Sequence, residues 1–284
     1  MTETKHIPVL LNAVMEALGN IAGKTVIDAT FGAGGYSKAF LEAGAKVIAF
    51  DRDPNVVQDA EKMAANFNGR FEFIPKTFSH IAELPDVYDA IVFDLGISSM
   101  QIDMPERGFS FRGDGPLDMR MSESGITAAD LIESYSVDDL ARILRDYGDV
   151  KKASILARAM KSASPRTTFE LKDLVHNPHD IAPVFQALRI AVNDEMGEII
   201  RALTVVPEKL KVGGKCICVT FHSIEDRIVK NTFKDWTTAA GDPRMPVVQN
   251  ARFVPIKAQT PTDVELKTNS RARSAHMRGV IKSY

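Results

Sequence analysis

The chain has 284 residues, a formal net charge of −2 and 45% apolar residues. This length and apolar content suffice for one large or two modest cores, and the near-zero charge excludes a polycation that binds nucleic acid indiscriminately. No apolar run reaches bilayer length and no signal-peptide pattern opens the chain, so we expect a cytoplasmic protein with no membrane partner. Cys216 and Cys218 are the only cysteines, and because no second Cys/His pair has ligand spacing we expect no metal site.

The first predicted elements lie in residues 25–53. A buried-strand pattern begins at 26–27, a glycine turn follows, and residues 36–43 have a helical pattern that ends at Gly44. A second strand is predicted over 46–50 and ends at Asp51. A strand, tight turn, helix and strand in this order direct backbone N–H groups and a helix N-terminus at a ligand beyond the carboxyl ends of parallel strands.

Two acids define the ligand expected at this turn. Asp28 precedes the glycines, and Ser37 occupies the third position, where a dinucleotide-binding turn carries glycine. An acid there would repel a pyrophosphate but attract S-adenosylmethionine, which has a sulfonium and an α-ammonium group. Asp51 is placed to accept hydrogen bonds from ribose hydroxyls. The alternatives are a nicotinamide oxidoreductase, which Asp28 and Ser37 disfavour, and a glycine turn with surface acids in some other doubly wound protein.

The rest of the chain predicts the second half of a sheet and a helical insertion. Strands are expected over residues 90–94 and 210–221, with an antiparallel hairpin over 246–257 and 272–282. Between them the pattern is helical. Thr127 and Ser136 are candidate helix caps, and one apolar stripe of helical spacing indicates a core face. That stripe consists of Val184, Phe185, Leu188, Val192, Ile199 and Leu203. We therefore predict an α/β fold interrupted by helices between its fourth and fifth strands.

Basic residues are concentrated in two segments. Residues 252–284 contain seven Lys/Arg and two acidic residues, and residues 151–166 contain five Lys/Arg and no acid. On a helix, Lys151, Arg158 and Lys161 would share one arc. Either segment by itself would be read as a solvated face, but the two together favour a polyanionic partner.

Nine sequence blocks, in order, resemble the bacterial ribosomal RNA small subunit methyltransferase H family over nearly the whole chain. These blocks are HIPVLL at 6–11, DATFGAGGYS at 28–37, DRDP at 51–54, DLGISSMQID at 94–103, ERGFSF at 106–111, DGPLDMRM at 114–121, FQALRIAVNDE at 185–195, FHSIEDRIVK at 221–230 and RARSAHMR at 271–278. The resemblance implies a class I methyltransferase core, Rossmann-like with seven strands, at residues 1–110 and 205–284. It also implies an inserted all-helical domain at 111–204 that recognises RNA.

The same resemblance implies an activity. The protein would transfer methyl from S-adenosylmethionine to the N4 amino group of a cytidine in the decoding, P-site region of 16S ribosomal RNA, within the small ribosomal subunit. A non-catalytic ribosome-assembly factor that retains the cofactor fold is the alternative from another functional class. The sequence leaves open whether the protein forms a homodimer and whether naked RNA or an assembled subunit is the substrate.

Candidate site residues come from the matching positions, from the acid beside the glycine turn and from the two basic segments. The cofactor contacts would be Asp28, Gly34, Gly35, Tyr36, Asp51, Phe78 against the adenine, Asp94 and Gln101. Tyr36 stands where the family usually has a histidine, and because the turn contributes backbone groups we expect little effect. The RNA contacts would be Lys151, Arg158, Lys161, Arg271, Arg273 and Arg278. The loop at 176–184 is shorter than is common in the family, which puts RNA contacts from that loop in doubt.

The chemistry requires a hydrogen-bond acceptor beside the methyl acceptor. A cytosine amino nitrogen is a poor nucleophile because its lone pair is delocalised into the ring, so an acceptor for its N–H should assist. The candidates are Asp94, Ser98, Ser99 and Asp118. Asp94 could instead serve in cofactor binding alone. Enzymes that methylate DNA amino groups often place Asp-Pro-Pro-Tyr at the position where this chain has DLGISS, so Phe109 or Phe111 is the candidate replacement for the missing aromatic clamp. His222 could act as a base, but a structural role is favoured.

Overall fold

The computed structural model describes residues 8–239 and 251–284, except for the side chains of Ser99 and Ser270. The chain divides into two compact units, the first formed by Met1–Gly96 with Glu198–Tyr284 and the second by Ile97–Gly197. The sequence predicted boundaries after residues 110 and 204, and both boundaries of the observed units lie earlier in the chain. The insertion nevertheless falls between the fourth and fifth strands, as expected.

The first unit is built on one seven-stranded sheet. Its strands are β1 Thr25–Asp28, β2 Lys46–Phe50, β3 Phe71–Ile74, β4 Tyr88–Asp94, β5 Leu210–Thr220, β6 Phe253–Gln259 and β7 His276–Lys282. Their order across the sheet is β3-β2-β1-β4-β5-β7-β6. Strands β1 to β5 pair in parallel, and β7 pairs antiparallel with both β5 and β6. This is the predicted class I methyltransferase topology.

The predicted hairpin exists with altered limits. Of the first predicted strand, residues 246–250 lie outside the described part of the chain, and β6 begins at Phe253. The second strand begins at His276 rather than at residue 272, because Ser270–Ser274 form a 3₁₀ helix capped by Asn269.

Twelve α-helices are found among the described residues. They are α1 Leu11–Leu18, α2 Gly35–Glu42, α3 Val57–Asn66, α4 Ser99–Asp103, α5 Ala128–Ser134, α6 Val137–Gly148, α7 Ala153–Ala163, α8 Thr168–Asp173, α9 Pro178–Asn193, α10 Glu195–Lys209, α11 Ser223–Thr237 and α12 Asp263–Thr268. No helix in residues 8–239 and 251–284 is long and apolar enough to cross a membrane.

The sheet order reverses between β1 and β4, which makes this pair the topological switch point. Strands β2 and β3 lie on one side of β1, whereas β4 and β5 continue on the other. Beyond the strand ends, Ala29 N–H still donates to Val92 O and Leu95 N–H to Val219 O. The carboxyl ends of β1, β4 and β5 therefore stay aligned, and ligands of open α/β sheets bind at such an edge.

The second unit has a core of its own. Large apolar side chains from α5, α6, α7 and α9 form one buried cluster that includes Leu131, Leu144, Met160 and Leu188. Both predicted caps are confirmed, because the Thr127 hydroxyl accepts the N–H of Asp130 and the Ser136 hydroxyl accepts that of Asp139.

The apolar stripe is part of the core, as predicted, but it is divided between two helices. Helix α9 ends at Asn193, and Asp194 adopts a left-handed conformation with φ of 47°. Val184, Phe185 and Leu188 are thus core residues of the second unit, whereas Ile199 and Leu203 are buried in α10 within the first unit. The apolar spacing continues across the break between the helices, so periodicity did not reveal it.

Candidate cofactor site

The glycine turn after β1 is fastened to the end of β2 by Asp51. One carboxylate oxygen of Asp51 accepts the N–H of Gly32 at 2.8 Å, and the other accepts the N–H of Asp53 at 2.9 Å. Burial raises the pKa of Asp51, and these two hydrogen bonds oppose the rise. Each carboxylate oxygen retains a further lone pair, so Asp51 can hold the turn and still accept a hydrogen bond from a ribose hydroxyl.

Asp28 ends β1 with a side chain that is 1% exposed. Its carboxylate accepts a hydrogen bond from the Ser37 hydroxyl at 2.6 Å and one from the N–H of Thr30 at 3.2 Å. Burial raises its pKa to about 7, against the lowering effect of these hydrogen bonds and with a smaller contribution from Asp51. Ser37, which stood out in the sequence only as a missing glycine, thus supports a buried acid. The predicted contact of Asp28 with the cofactor remains a prediction.

Asp94 ends β4, the strand that pairs with β1. Its N–H donates to the Thr30 hydroxyl oxygen at 2.7 Å. Its Oδ1 atom is buried and has no hydrogen-bond partner among the described residues. Burial raises the pKa of Asp94 well above its ordinary value, and the charges of Asp28 and Glu225 raise it further.

This edge of the sheet therefore holds an excess of buried acid. Within the described ranges, no salt bridge involves Asp28 or Asp94. A buried carboxyl without a cationic partner stays protonated or requires an external positive charge. These buried acids thus fit S-adenosylmethionine, whose two cationic groups would supply that charge, and they do not suit a pyrophosphate.

Phe78 supplies an apolar surface at the same edge of the sheet. It opens the 3₁₀ helix Phe78–Glu83 that follows β3, and its ring is half-buried. It packs edge-on against Phe93 of β4, with ring centroids 5.6 Å apart at 86°. A ring fixed from behind in this way can present its remaining surface to an adenine, which is the role that we predicted for it.

His222 has the structural role that the sequence analysis favoured. It caps α11, where its Nδ1 accepts the N–H of Glu225 at 3.4 Å. Glu225 in turn accepts the N–H groups of Phe221 and His222 at 2.8 and 3.3 Å. Glu225 was missed in the sequence, although a cap residue followed three positions later by glutamate is a recognisable helix-start signal.

Three candidate polar residues lie in the second unit. Ser98 and Gln101 form a capping box that starts α4, with Ser98 Oγ accepting at 3.2 Å and Gln101 Oε1 accepting at 3.1 Å. Asp118 forms a two-point salt bridge with Arg120, with both contacts at 2.8 Å. Burial would raise the pKa of Asp118, but the hydrogen bonds from Arg120 lower it overall. A carboxylate engaged in this way is a weak acceptor for another N–H. The side chain of Ser99 lies outside the described residues.

The aromatic clamp proposed from the sequence is not supported. Phe109 is 7% exposed and belongs to the core of the second unit. Phe111 packs edge-on against Phe185, with ring centroids 5.4 Å apart. Packing within that unit accounts for Phe109, whereas Phe111 is half-buried and its role as a clamp stays a prediction.

The basic residues divide into engaged and exposed groups. Helix α7 starts at Ala153, so Lys151 precedes it and does not share a helical arc with Arg158, contrary to the prediction. Lys161 donates to the carbonyl of Glu133, whereas Arg158 is exposed. Arg278 forms a two-point salt bridge with Asp226 at 2.7 and 2.8 Å, which gives it a structural role.

The strand order and the acidic edge of the sheet define a class I methyltransferase that uses S-adenosylmethionine. The sequence pattern of the MraW methylase family matches residues 3–283, and the chain belongs to this family. It is 44% identical to a protein of Sinorhizobium fredii named ribosomal RNA small subunit methyltransferase H, over 98% of this chain and 88% of that protein. Proteins of the same name from Rhizobium meliloti and Agrobacterium fabrum match equally.

Among solved structures, an rRNA methylase from Streptococcus thermophilus matches with a TM-score of 0.47 and 12% identity over 99% of each chain. Nothing further is concluded from so distant a match. Membership of a methylase family argues against the nicotinamide oxidoreductase alternative.

The raised pKa of Asp28 predicts how stability varies with pH. Because the folded-state pKa is about 7 and the ordinary value is 3.8, the folded state binds more protons than the unfolded state between these values. The contribution of Asp28 to stability is therefore greatest at low pH and is lost as the pH rises through about 7. Urea unfolding of the cofactor-free protein should show that Asp28→Asn removes a decline of at most about 1.4 kcal/mol per pH unit. Asp86→Asn, at an exposed site before β4, is the control. An identical pH slope in parent and Asp28→Asn would contradict the assignment.

Proposed function

We propose that the protein methylates the exocyclic N4 of a cytidine in the P-site region of 16S ribosomal RNA, with S-adenosylmethionine as the methyl donor. The proposal is supported by membership of the methylase family and by the name of relatives at 44% identity, which identifies the small-subunit ribosomal RNA as their substrate. The observation that carries the chemistry is the Oδ1 atom of Asp94, which is buried and without a partner at the end of β4.

An amino group that accepts the methyl would donate a hydrogen bond to that oxygen. As the nitrogen lone pair of the cytosine attacks the methyl carbon, one amino hydrogen bonds to Asp94 Oδ1 and the nitrogen pyramidalises. S-adenosylmethionine would supply the methyl group and leave as the neutral thioether, and the Asp94 carboxylate would take the surplus amino proton and pass it to water. Positioning of the two reactants can supply about 7–11 kcal/mol of the barrier reduction.

The electrostatics of the site favour an ordered reaction. In the free protein, burial and the neighbouring acids Asp28 and Glu225 raise the pKa of Asp94 and so favour its neutral form. A nearby cation favours the ionised form of an acid. Cofactor binding would therefore generate the acceptor on Asp94 before the cytidine arrives. The S-adenosylmethionine sulfonium supplies both this charge and the activated methyl group.

RNA binding is assigned to exposed basic residues in each unit. Lys151 and Arg158 are exposed in the second unit, and Arg273 is exposed in the first, within the 3₁₀ helix Ser270–Ser274 that also carries Arg271. Such side chains bind phosphates without desolvation of a buried ion pair. Arg278 contributes less in this scheme because Asp226 already neutralises it.

The test of the proposed function is methyl transfer from labelled S-adenosylmethionine to small subunits isolated from cells that lack the protein. The product is digested to nucleosides and separated by liquid chromatography with mass detection. N4-methylcytidine is the expected labelled nucleoside. Label in another nucleoside would contradict the assigned acceptor atom, and cofactor binding without any transfer would favour the assembly-factor alternative.

Replacing Asp94 separates chemistry from cofactor binding. Asp94→Asn keeps the size and one acceptor oxygen but removes the charge that stabilises the developing ammonium. Single-turnover methyl transfer at saturating cofactor should fall about 100-fold or more, with a smaller change in the cofactor dissociation constant. Asp86→Asn, at an exposed position before β4, should retain the parental rate. A large loss of affinity with a near-parental rate would instead restrict Asp94 to cofactor binding.

Neutralising the exposed bases of the second unit tests the RNA surface. The variant Lys151→Gln/Arg158→Gln should bind RNA more weakly, with a log–log salt slope reduced by about 0.7–0.9 per lost phosphate contact, while the cofactor affinity is unchanged. Arg142→Gln is the matched control, because Arg142 is also exposed on a helix of this unit but already pairs with Asp139 at 2.7 Å. A salt slope equal to that of the parent would identify these residues as a solvated face only.

A further inference from the structure

Residues 8–10 lie against the glycine turn that begins α2. A Cβ atom added to Gly35 would lie 2.3 Å from Cγ of Pro8, so the absence of a side chain at Gly35 makes room for the proline ring. From the sequence, this glycine was expected to admit a ligand. Its close neighbour in the structure is the N-terminal segment, which therefore borders the candidate cofactor site.

Tyr36 holds this segment with its side chain. Its ring is 3% exposed and packs against Phe40, and its hydroxyl donates a hydrogen bond to the carbonyl oxygen of Val9. Burial raises the pKa of Tyr36 well above its ordinary value, with further contributions from Asp94 and other acids, so the hydroxyl keeps the proton that it donates. The residue that directly follows the glycines thus contributes a tether as well as backbone groups.

Glu265 holds the same segment from the opposite end of the chain. Its Oε1 atom accepts the N–H of Leu10 at 2.6 Å, and its own N–H is capped by the Thr262 hydroxyl at the start of α12. Leu10 is buried and has a φ of 55°, in the left-handed region that a leucine rarely occupies. Such a conformation persists only where surrounding contacts enforce it, and the Glu265 contact is one of them.

We propose that Tyr36 and Glu265 are positioning residues that clasp residues 8–10 over the glycine turn, so that this strap forms a wall of the cofactor site and slows cofactor release. The proposal rests on the assignment of S-adenosylmethionine to the glycine turn and does not depend on which RNA atom is methylated. Neither residue needs to touch the reacting atoms.

The first test measures the rate at which labelled S-adenosylmethionine leaves the protein after addition of excess unlabelled cofactor. Tyr36→Phe removes only the hydroxyl and retains the ring packing. Glu265→Ala removes the acceptor, whereas Glu265→Gln restores an oxygen that can accept the Leu10 N–H. The dissociation rate should rise about 2- to 10-fold in Tyr36→Phe and in Glu265→Ala, as expected for loss of one hydrogen bond, and return toward the parental rate in Glu265→Gln.

Because both residues act on one strap, their effects should not be independent. In the double variant Tyr36→Phe/Glu265→Ala the cofactor dissociation rate should rise by less than the product of the two single increases. In Glu265→Ala the single-turnover rate at saturating cofactor should stay parental, so the change appears in KM rather than in kcat. Tyr135→Phe and Asp263→Asn, at exposed positions, are the controls and should match the parent. Parental dissociation rates in both single variants would overturn the proposal.

Amide hydrogen exchange on the unmodified protein gives an answer that does not depend on whether a variant folds. Cofactor binding should slow exchange both in the glycine turn at 34–36 and at the N–H of Leu10. Slowing confined to the turn would overturn the strap and leave the cofactor assignment intact. Slowing in neither segment would overturn both the strap and the location of the cofactor site.

Discussion

The constraint on which this structure depends is the burial of carboxyl groups at the switch point of the sheet, where the described residues provide no salt bridge to pair them. Asp28 and Asp94 end adjacent strands. The Asp28 carboxylate accepts hydrogen bonds from two neutral donors, the Ser37 hydroxyl and the Thr30 N–H, whereas Asp94 Oδ1 has no partner among the described residues. Desolvated acids are costly to ionise. Burial therefore raises the pKa of both acids. A cationic ligand would offset the cost of ionising them.

Neighbouring residues fix the positions of these acids. The backbone N–H of Thr30 binds Asp28, and its hydroxyl accepts the N–H of Asp94, so one residue connects two strand ends. Asp51 connects the glycine turn to β2, and Glu225 closes the turn after β5 against the start of α11. Each carboxyl of the site thus either faces the ligand position or organises the backbone around it. A substitution that retains charge but shifts one of these acids should disturb the others as well.

Much of the first unit could be predicted from the sequence because its signals are local. Strand β2 matched its predicted limits, and the glycine turn, Asp28 and Asp51 marked the carboxyl edge of the sheet before the structure was known. In the second unit, the caps of α5 and α6, a threonine and a serine, could be predicted in the same way. These features depend on a few neighbouring residues, and their physical rules act over the same distance.

The errors concern residues whose roles depend on distant partners. Tyr36 and Glu265 act on a segment that is remote in sequence, and Arg278 finds Asp226 across 52 residues. The apolar stripe hid the break at Asp194 because two helices share one spacing. Phe109 was a candidate for the aromatic clamp, but its ring is buried in the core of the second unit. Long-range pairing decides such cases, and no local pattern specifies it.

If the cofactor supplies the positive charge that the buried acids lack, its binding displaces protons from them. Titration calorimetry at about pH 7, in buffers of different ionisation enthalpy, measures the protons released on binding. Binding of S-adenosylmethionine should release protons, binding of S-adenosylhomocysteine, which has no sulfonium charge, should release fewer, and Asp28→Asn should reduce the difference. Equal proton release for both ligands, or none for either, would contradict the account.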